Sequence, residues 1–264
     1  MTATEQIKQL TPDGVKRLAR PAWKRYVNAK HERDLVGPVF RRQAELRDYK
    51  RELLESQLAD ELAAKQAEFQ ASVSGVTARG AKRGFGAITT GSRLRVYALA
   101  RALKPSVLVE TGVCNGVSSA VTLEALSRNG HGRLHSIDFP EYAESGTETG
   151  HWDGKGGAVV APGRESGWVV PERLRGSWDL ALGRSQDLLP DLLERLGEID
   201  WFFHDSEHSY ECMTFEFEAA YDRLRPGGFL LADDIAMNTS FFDFADVKGK
   251  EALQLGEGIG MIIR

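Results

Sequence analysis

The chain has 264 residues, of which 42% are hydrophobic, so it is long enough for one large domain plus an extension. Lys and Arg number 34 against 38 Asp and Glu, a formal net charge of −4, which makes nucleic acid an unfavourable general partner. Its two cysteines, Cys114 and Cys212, give neither a disulfide framework nor the spacing of a thiolate metal site. No stretch predicts a membrane span and no basic-then-apolar leader begins the sequence, so we expect a cytoplasmic protein with no membrane partner.

Residues 1–75 are rich in charge and poor in β-branched side chains, which predicts a helical N-terminal extension. Within it, residues 41–69 are predicted to form one helix, because apolar residues recur there at helical intervals. These are Leu46, Leu53, Leu58, Leu62 and Phe69. The basic stretch 16–33 carries Trp23 and Tyr26, and a solvated helix face is favoured there over a nucleic-acid-binding arm.

A stretch rich in Gly, Ser and Thr, residues 71–92, is predicted to be a linker or loop. It precedes a predicted helix over residues 93–103, which Pro105 ends. Residues 84–91 have two possible roles, folding over a ligand or connecting two parts of the chain. We place a second domain at residues 76–264.

The next stretch predicts a strand, a glycine loop and a helix. Residues 106–109 are apolar and rich in β-branched side chains, Gly112 and Gly116 bracket a loop, and a helical pattern begins at Val117. The spacing Glu110-x-Gly-x-x-x-Gly is wider than the dinucleotide fingerprint Gly-x-Gly-x-x-Gly. A wider loop preceded by an acid suits a ligand with an amine and a carboxylate, such as S-adenosylmethionine (SAM), although an ordinary strand-to-helix turn remains the alternative.

A second strand is predicted at residues 133–137, and Asp138 at its end is placed to bind two ribose hydroxyls. Residues 140–172 then interrupt the pattern with a glycine-rich insertion that contains His151, Trp152 and Trp168. We expect this insertion to lie over the carboxyl edge of the sheet as a lid or substrate wall, with partial disorder as the alternative.

Four more strands are predicted at residues 178–182, 199–203, 229–232 and 258–263, with helices between the first three. This alternation predicts an α/β fold with a doubly wound, mostly parallel, Rossmann-like sheet. In such a sheet the strand ends converge on one crevice.

Six polar residues stand at these strand ends: Glu110, Asp138, Ser185, Asp205, Asp233 and Asp234. Each alone could be a turn acid or a helix cap. Together, Asp205, Asp233 and Asp234 suit a hard divalent cation such as Mg²⁺. His208, three residues beyond Asp205, is placed to reach the same space.

These residues carry a resemblance to class I SAM-dependent methyltransferases, and in pattern to the metal-dependent O-methyltransferases. The run Glu110-x-Gly112-x-x-x-Gly116-x-Ser118 resembles their SAM loop, and Asp138 matches their ribose-binding acid. The segment from Gly183 to Pro190, which includes Ser185 and Gln186, resembles the stretch of catechol O-methyltransferases against which adenine lies. Asp205 and the pair Asp233-Asp234 fall where those enzymes hold their metal.

Two departures point away from a catechol substrate. This chain has His208 where catechol-type enzymes carry a lysine base, and Asp233-Asp234 where they carry Asp-Asn. In both respects it resembles more closely the macrolide-sugar O-methyltransferases and the cephalosporin-hydroxylase-like group, in which Asp-x-x-His recurs. The insertion and the first 75 residues have no counterpart in the resemblance.

The resemblance implies methyl transfer from SAM to a hydroxyl of a small molecule, such as a sugar or natural product, with a divalent metal as second cofactor. It implies SAM binding by Glu110, Gly112, Gly116, Ser118, Asp138, Ser185, Gln186 and Asp205. The metal would lie on Asp205, Asp233 and Asp234, and His208 would be the base. Metal-independent methylation and a non-catalytic SAM-binding or assembly module are alternatives, and a nicotinamide oxidoreductase is disfavoured by the loop. Because the predicted helix 41–69 has few partners in such a core, we expect it to contact a second subunit in a homo-oligomer.

Overall fold

A computed structural model describes residues 27, 29–73, 85, 88–142 and 159–264 of the chain. Its centre is a seven-stranded sheet with the order β3-β2-β1-β4-β5-β7-β6. The strands are β1 (Val107–Thr111), β2 (Arg133–Asp138), β3 (Trp178–Leu182), β4 (Ile199–His204), β5 (Leu224–Ala232), β6 (Leu253–Gly256) and β7 (Ile259–Ile263). The first five are parallel, whereas β7 runs antiparallel to both β5 and β6. The predicted doubly wound, mostly parallel sheet is confirmed.

Eight helices are numbered here: α1 (Gln43–Leu54), α2 (Gln57–Val73), α3 (Thr90–Leu103), α4 (Val117–Asn129), α5 (Glu172–Arg175), α6 (Ser185–Leu196), α7 (Tyr210–Tyr221) and α8 (Ser240–Lys248). Residues 29–34 are also helical. None of the helices in the described ranges has the length and apolar character that a bilayer span requires.

The central strands are buried on both faces, as their continuous apolar runs predict. On β4, Trp201 and Phe203 pack into the core that α1–α4 cover, whereas Phe202 packs into the core beneath α6, α7 and α8. The alternation of side chains along a strand produces this division. Because β1, β4 and β5 are parallel, their carboxyl ends lie at one edge of the sheet.

The prediction of one helix over residues 41–69 is wrong, because the chain breaks between α1 and α2 at Glu55 and Ser56. The buried Ser56 hydroxyl donates to the Leu53 carbonyl at 2.6 Å, a local bond that competes with the helical pattern. The predicted apolar stripe is nevertheless buried on both helices. It packs into the same core as α3 and α4, so it contacts its own chain. The homo-oligomer stays a prediction, without support from this stripe.

Several predictions fall on residues outside the described ranges, among them Trp23, Tyr26, His151, Trp152 and most of residues 71–87. Helix α3 begins three residues before its predicted start. The Thr89 hydroxyl accepts the Ser92 N–H at 3.1 Å and caps it.

Candidate cofactor and acceptor site

The glycine loop after β1 brings three strand ends together. Gly112 has φ +86° and donates its N–H to the Ile137 carbonyl at 2.9 Å, and the Asp205 N–H donates to the Thr111 carbonyl at 2.8 Å. A Cβ at Gly112 would stand 2.0 Å from the Asp205 carbonyl oxygen. The glycine is therefore required for the approach of the loop to the end of β4.

Glu110 is buried, 1% exposed, and lies within β1. Its carboxyl oxygens accept hydrogen bonds from Ser118 and Ser119, both at 2.6 Å, and from Ser136 at 2.9 Å. Burial raises the pKa of Glu110, and the three hydroxyl donors oppose that shift. In this arrangement Glu110 fixes the start of α4 against β1 and β2. Direct contact of Glu110 or Ser118 with SAM stays a prediction.

Asp138 is also engaged by the chain itself. Its carboxyl oxygens accept the N–H groups of Val113 at 3.0 Å and Cys114 at 3.1 Å, and the hydroxyl of Ser166. Burial raises its pKa, while these donors and the Phe139 N–H act in the opposite direction. A carboxylate offers about four acceptor positions, so two ribose hydroxyls would have to replace donors that Asp138 already holds. Its ribose-binding role stays a prediction.

The second half of the insertion, residues 159–170, is attached to the glycine loop through Asn115. The buried Asn115 amide donates to the carbonyls of Phe85 and Val159, both at 2.8 Å. Its oxygen accepts the Ala161 N–H at 3.2 Å and the Trp168 indole N–H at 2.5 Å. The sequence analysis missed this residue, since an asparagine in a loop gives no signal of four distant partners.

The predicted acids meet at the carboxyl ends of β4 and β5. A Cβ at Gly258 would stand 3.4 Å from Asp234 Oδ1 and 3.6 Å from Asp233 Oδ1, so both carboxylates face the β6–β7 turn. Burial and the neighbouring carboxylates, Asp233 first, hold the pKa of Asp205 well above its usual range. Burial and Asp234 raise the pKa of Asp233 to about 6.

His208 lies beside this cluster, with Nε2 4.0 Å from Asp205 Oδ1. Burial and the neighbouring His204 lower its pKa to about 4, although Asp234 acts in the opposite direction. The imidazole is therefore neutral at pH 7 and has a lone pair that can accept a proton. The structure thus places His208 next to the acids, as the spacing predicts.

The carboxylates have the donor chemistry of a Mg²⁺ site, but their positions do not complete one. Across the described ranges, no group of three or more His, Cys, Asp or Glu side chains is arranged to hold a metal ion. Asp205, Asp233 and Asp234 as placed therefore do not fit the predicted three-carboxylate centre.

The predicted adenine segment follows β3 and starts α6. Ser185 is buried there, and the Gln186 amide lies 3.3 Å from the Cys212 sulfur. Burial and Glu216 raise the pKa of the Cys212 thiol to about 12, so this sulfur is not a thiolate. Both predicted residues are thus held against α7.

Comparison with known proteins agrees with this geometry. Residues 109–235 match the family model of a methyltransferase domain. An O-methyltransferase from Bacillus cereus, in complex with SAH (S-adenosylhomocysteine), has a similar structure with a TM-score of 0.53 and 14% identity, covering 82% of this chain and 96% of its own. TomG from Streptomyces achromogenes, an O-methyltransferase of tomaymycin synthesis in complex with SAM, gives a TM-score of 0.51 and 18% identity, covering 79% of this chain and 90% of its own. No curated protein sequence matches the chain. Residues 109–235 are therefore similar to a methyltransferase domain, and the chain has the doubly wound fold that the sequence predicted.

Proposed function

We propose that this domain transfers the methyl group of SAM to a hydroxyl oxygen of a small molecule. The observation that carries the proposal is the position of a neutral imidazole, His208, beside Asp205 at the end of β4. The glycine loop reaches the same point, since Gly112 abuts the Asp205 carbonyl. A cofactor on the loop and a hydroxyl near His208 would lie side by side. The two similar structures are both described as O-methyltransferases, which supports an oxygen acceptor.

Methyl transfer is an in-line displacement at the methyl carbon. The acceptor oxygen forms a bond to that carbon as the carbon–sulfur bond breaks, and SAH leaves without the sulfonium charge. Alignment of the two reactants can lower the barrier by up to about 7–11 kcal/mol. The hydroxyl proton passes to the His208 imidazole, and a positioned base typically adds about 10²–10⁴-fold in rate. Asp234 favours the imidazolium that results, because it raises the pKa of His208.

For the cofactor we retain the predicted set of Glu110, Gly112, Gly116, Ser118, Asp138, Ser185, Gln186 and Asp205. Some of these act through others, since Glu110 and Ser118 hydrogen bond to each other. Asp205 contributes to the site in two ways. Its main chain contacts the end of β1 and the glycine loop, and its side chain lies beside His208.

Dependence on a divalent metal such as Mg²⁺ is a separate part of the proposal. It is supported by the mutual repulsion of Asp205, Asp233 and Asp234, which a cation would relieve. Loss of turnover in chelator, with recovery on addition of Mg²⁺, would support it, and full turnover in chelator would exclude it.

The proposal is tested by calorimetry with SAH and by a screen of hydroxylated acceptors with methyl-labelled SAM. We expect SAH binding and transfer of label to an oxygen of at least one small molecule. SAH binding without transfer to any acceptor would instead favour the non-catalytic module. Light scattering on the full chain tests the predicted homo-oligomer.

A further inference from the structure

A buried carboxylate that the sequence analysis did not single out lies directly under the site. Glu216, on α7, is 0% exposed. It accepts hydrogen bonds from the Thr111 hydroxyl at 2.5 Å, the Ser206 hydroxyl at 2.7 Å and His204 Nδ1 at 2.6 Å. Thr111 ends β1 and His204 ends β4, while Ser206 directly follows Asp205. One side chain of α7 therefore joins the two strand ends that form the site.

The charge of Glu216 fixes the proton on His204. Burial raises the pKa of Glu216, but His204 and the hydroxyl donors outweigh burial, so its pKa lies below the usual value. An ionised carboxylate can only accept hydrogen bonds, hence His204 Nδ1 must be the donor. The remaining ring nitrogen, His204 Nε2, is buried and has no hydrogen-bond partner among the described residues. A carboxylate that holds Nδ1–H is the usual device for orienting an imidazole.

The oriented ring of His204 contacts His208. The two ring centroids are 5.2 Å apart and the rings are nearly perpendicular, at 82°. The His204 ring also packs against Phe217, whose ring centroid is 5.5 Å away. His208 Nε2 has no hydrogen bond to the described residues either, because 4.0 Å to Asp205 Oδ1 is too long. The His208 ring is therefore restrained by its packing on His204, since no hydrogen bond from its Nε2 to the described residues holds it.

We propose that Glu216 and His204 are positioning residues for His208. Glu216 orients the His204 ring, and that ring packs against His208. This inference rests on the proposed methyl transfer with His208 as the base. It assigns to α7 the task of aligning the acceptor side of the site. It also gives a role to the fully buried hydrogen bond between Glu216 and His204 under the strand ends.

The test uses the full chain with isotope-labelled histidine, saturated with SAH. In the wild type, NMR should show His204 with its proton on Nδ1. Glu216→Gln should alter the ring signals of His208 while SAH affinity stays unchanged. With an acceptor from the labelling screen, it should lower kcat by about tenfold to a hundredfold, the effect typical of lost orienting partners, and leave KM for SAM unchanged. Glu216→Asp keeps the charge and should recover part of kcat.

Two further variants separate positioning from general destabilisation. Glu52→Gln is the matched control, because Glu52 accepts from the Tyr97 hydroxyl at 2.5 Å and from Arg101 Nε at 2.7 Å on the α1–α3 side of the core. It should lower stability without moving the His208 signals. His204→Asn retains a donor for Glu216 but removes the ring beside His208, and it carries the test if Glu216→Gln does not fold. Unchanged His208 signals and unchanged kcat in Glu216→Gln or His204→Asn would overturn the inference. Failure of the wild type to bind SAH would overturn the proposed function instead.

Discussion

Asn115 offers a quantitative test of how the insertion is attached to the glycine loop. Besides a contact with the Cys114 sulfur, its side chain makes four hydrogen bonds to distant groups, to the main chain of Phe85, Val159 and Ala161 and to the indole of Trp168. Asn115→Ala removes all four and leaves their partners in a buried region. At a net contribution of about 0.5–1.5 kcal/mol for each bond, we expect the free energy of unfolding to fall by about 2–6 kcal/mol. The measurement is urea unfolding followed by tryptophan fluorescence and by circular dichroism.

Asn129→Ala is a matched control, because its side chain makes two bonds, one to the Ala100 carbonyl at 2.9 Å and one from Arg101. Its loss should be about half as large. If Asn115→Ala loses less than about 1 kcal/mol, the least that two such bonds contribute, then residues 159–170 are held by something other than this side chain. A fluorescence transition that precedes the circular dichroism transition in this variant would show local release of Trp168.

Three further predictions concern the base, the loop and the N-terminal helices. His208→Ala should lower turnover by about 10²–10⁴-fold with SAH affinity unchanged by calorimetry, and a rate near wild type at pH 7 would remove His208 from the mechanism. Gly112→Val should abolish SAH binding by preventing the loop from closing on Asp205, and normal SAH affinity in this variant would refute the prediction. Gly130→Ala is the control: this glycine has φ +76° and open space around it, so the variant should lower the free energy of unfolding by only about 1–2 kcal/mol. Leu58→Ala should destabilise the whole chain by about 2–5 kcal/mol in a single urea transition, since Leu58 is fully buried, and a separate early transition would contradict a shared core.

The sequence predicts most of the sheet because parallel strands buried on both faces are continuous apolar runs. The strand after Pro105 follows from this rule, and the helix from Val117 follows from its helical apolar pattern. Strand-end acids such as Asp205 follow from where parallel strands converge. The edge of the sheet was less predictable. β6 is four residues long and ends in Gly256, and β5 begins at Leu224, five residues before its predicted start. Neither segment has the apolar run that identifies a buried strand.

The partners of the site residues could not be predicted, because they depend on side-chain packing between distant parts of the chain. Glu110 has the spacing of a cofactor acid, yet its three donors come from α4 and β2. Glu216 and Thr111 are 105 residues apart, and no periodicity relates them. Alternation along β4 turns His204 away from Asp205, so the sequence does not mark His204 as a site residue. It does lie on the α7 side of β4, but its ring still reaches His208 past the end of the strand.

The acids at the ends of β4 and β5 should make stability depend on pH in a direction opposite to that of salt-bridged acids. The pKa of Asp233 is raised from 3.8 to about 6, so between these values the folded protein holds a proton that the unfolded chain has released. The free energy of unfolding therefore falls as pH rises from about 4 through about 6, and Asp205, raised in the same direction, extends the fall.

Asp233→Asn isolates this effect, because the amide resembles the protonated acid at low pH and avoids the charge at high pH. Relative to wild type, the variant should gain stability as pH rises through the window, measured by urea unfolding in chelator. A constant difference in the free energy of unfolding between the two proteins from pH 4 to 7 would show that Asp233 titrates normally.

Addition of Mg²⁺ tests whether the ionised carboxylates bind a cation. If a cation binds the ionised cluster, Mg²⁺ should raise the stability of the wild type at pH 7 more than that of Asp233→Asn, since ligand bound only to the folded state stabilises it. If the pH dependence is present and Mg²⁺ leaves both proteins unchanged, the metal prediction fails, and the carboxylates act on the acceptor and on His208 by their charge alone.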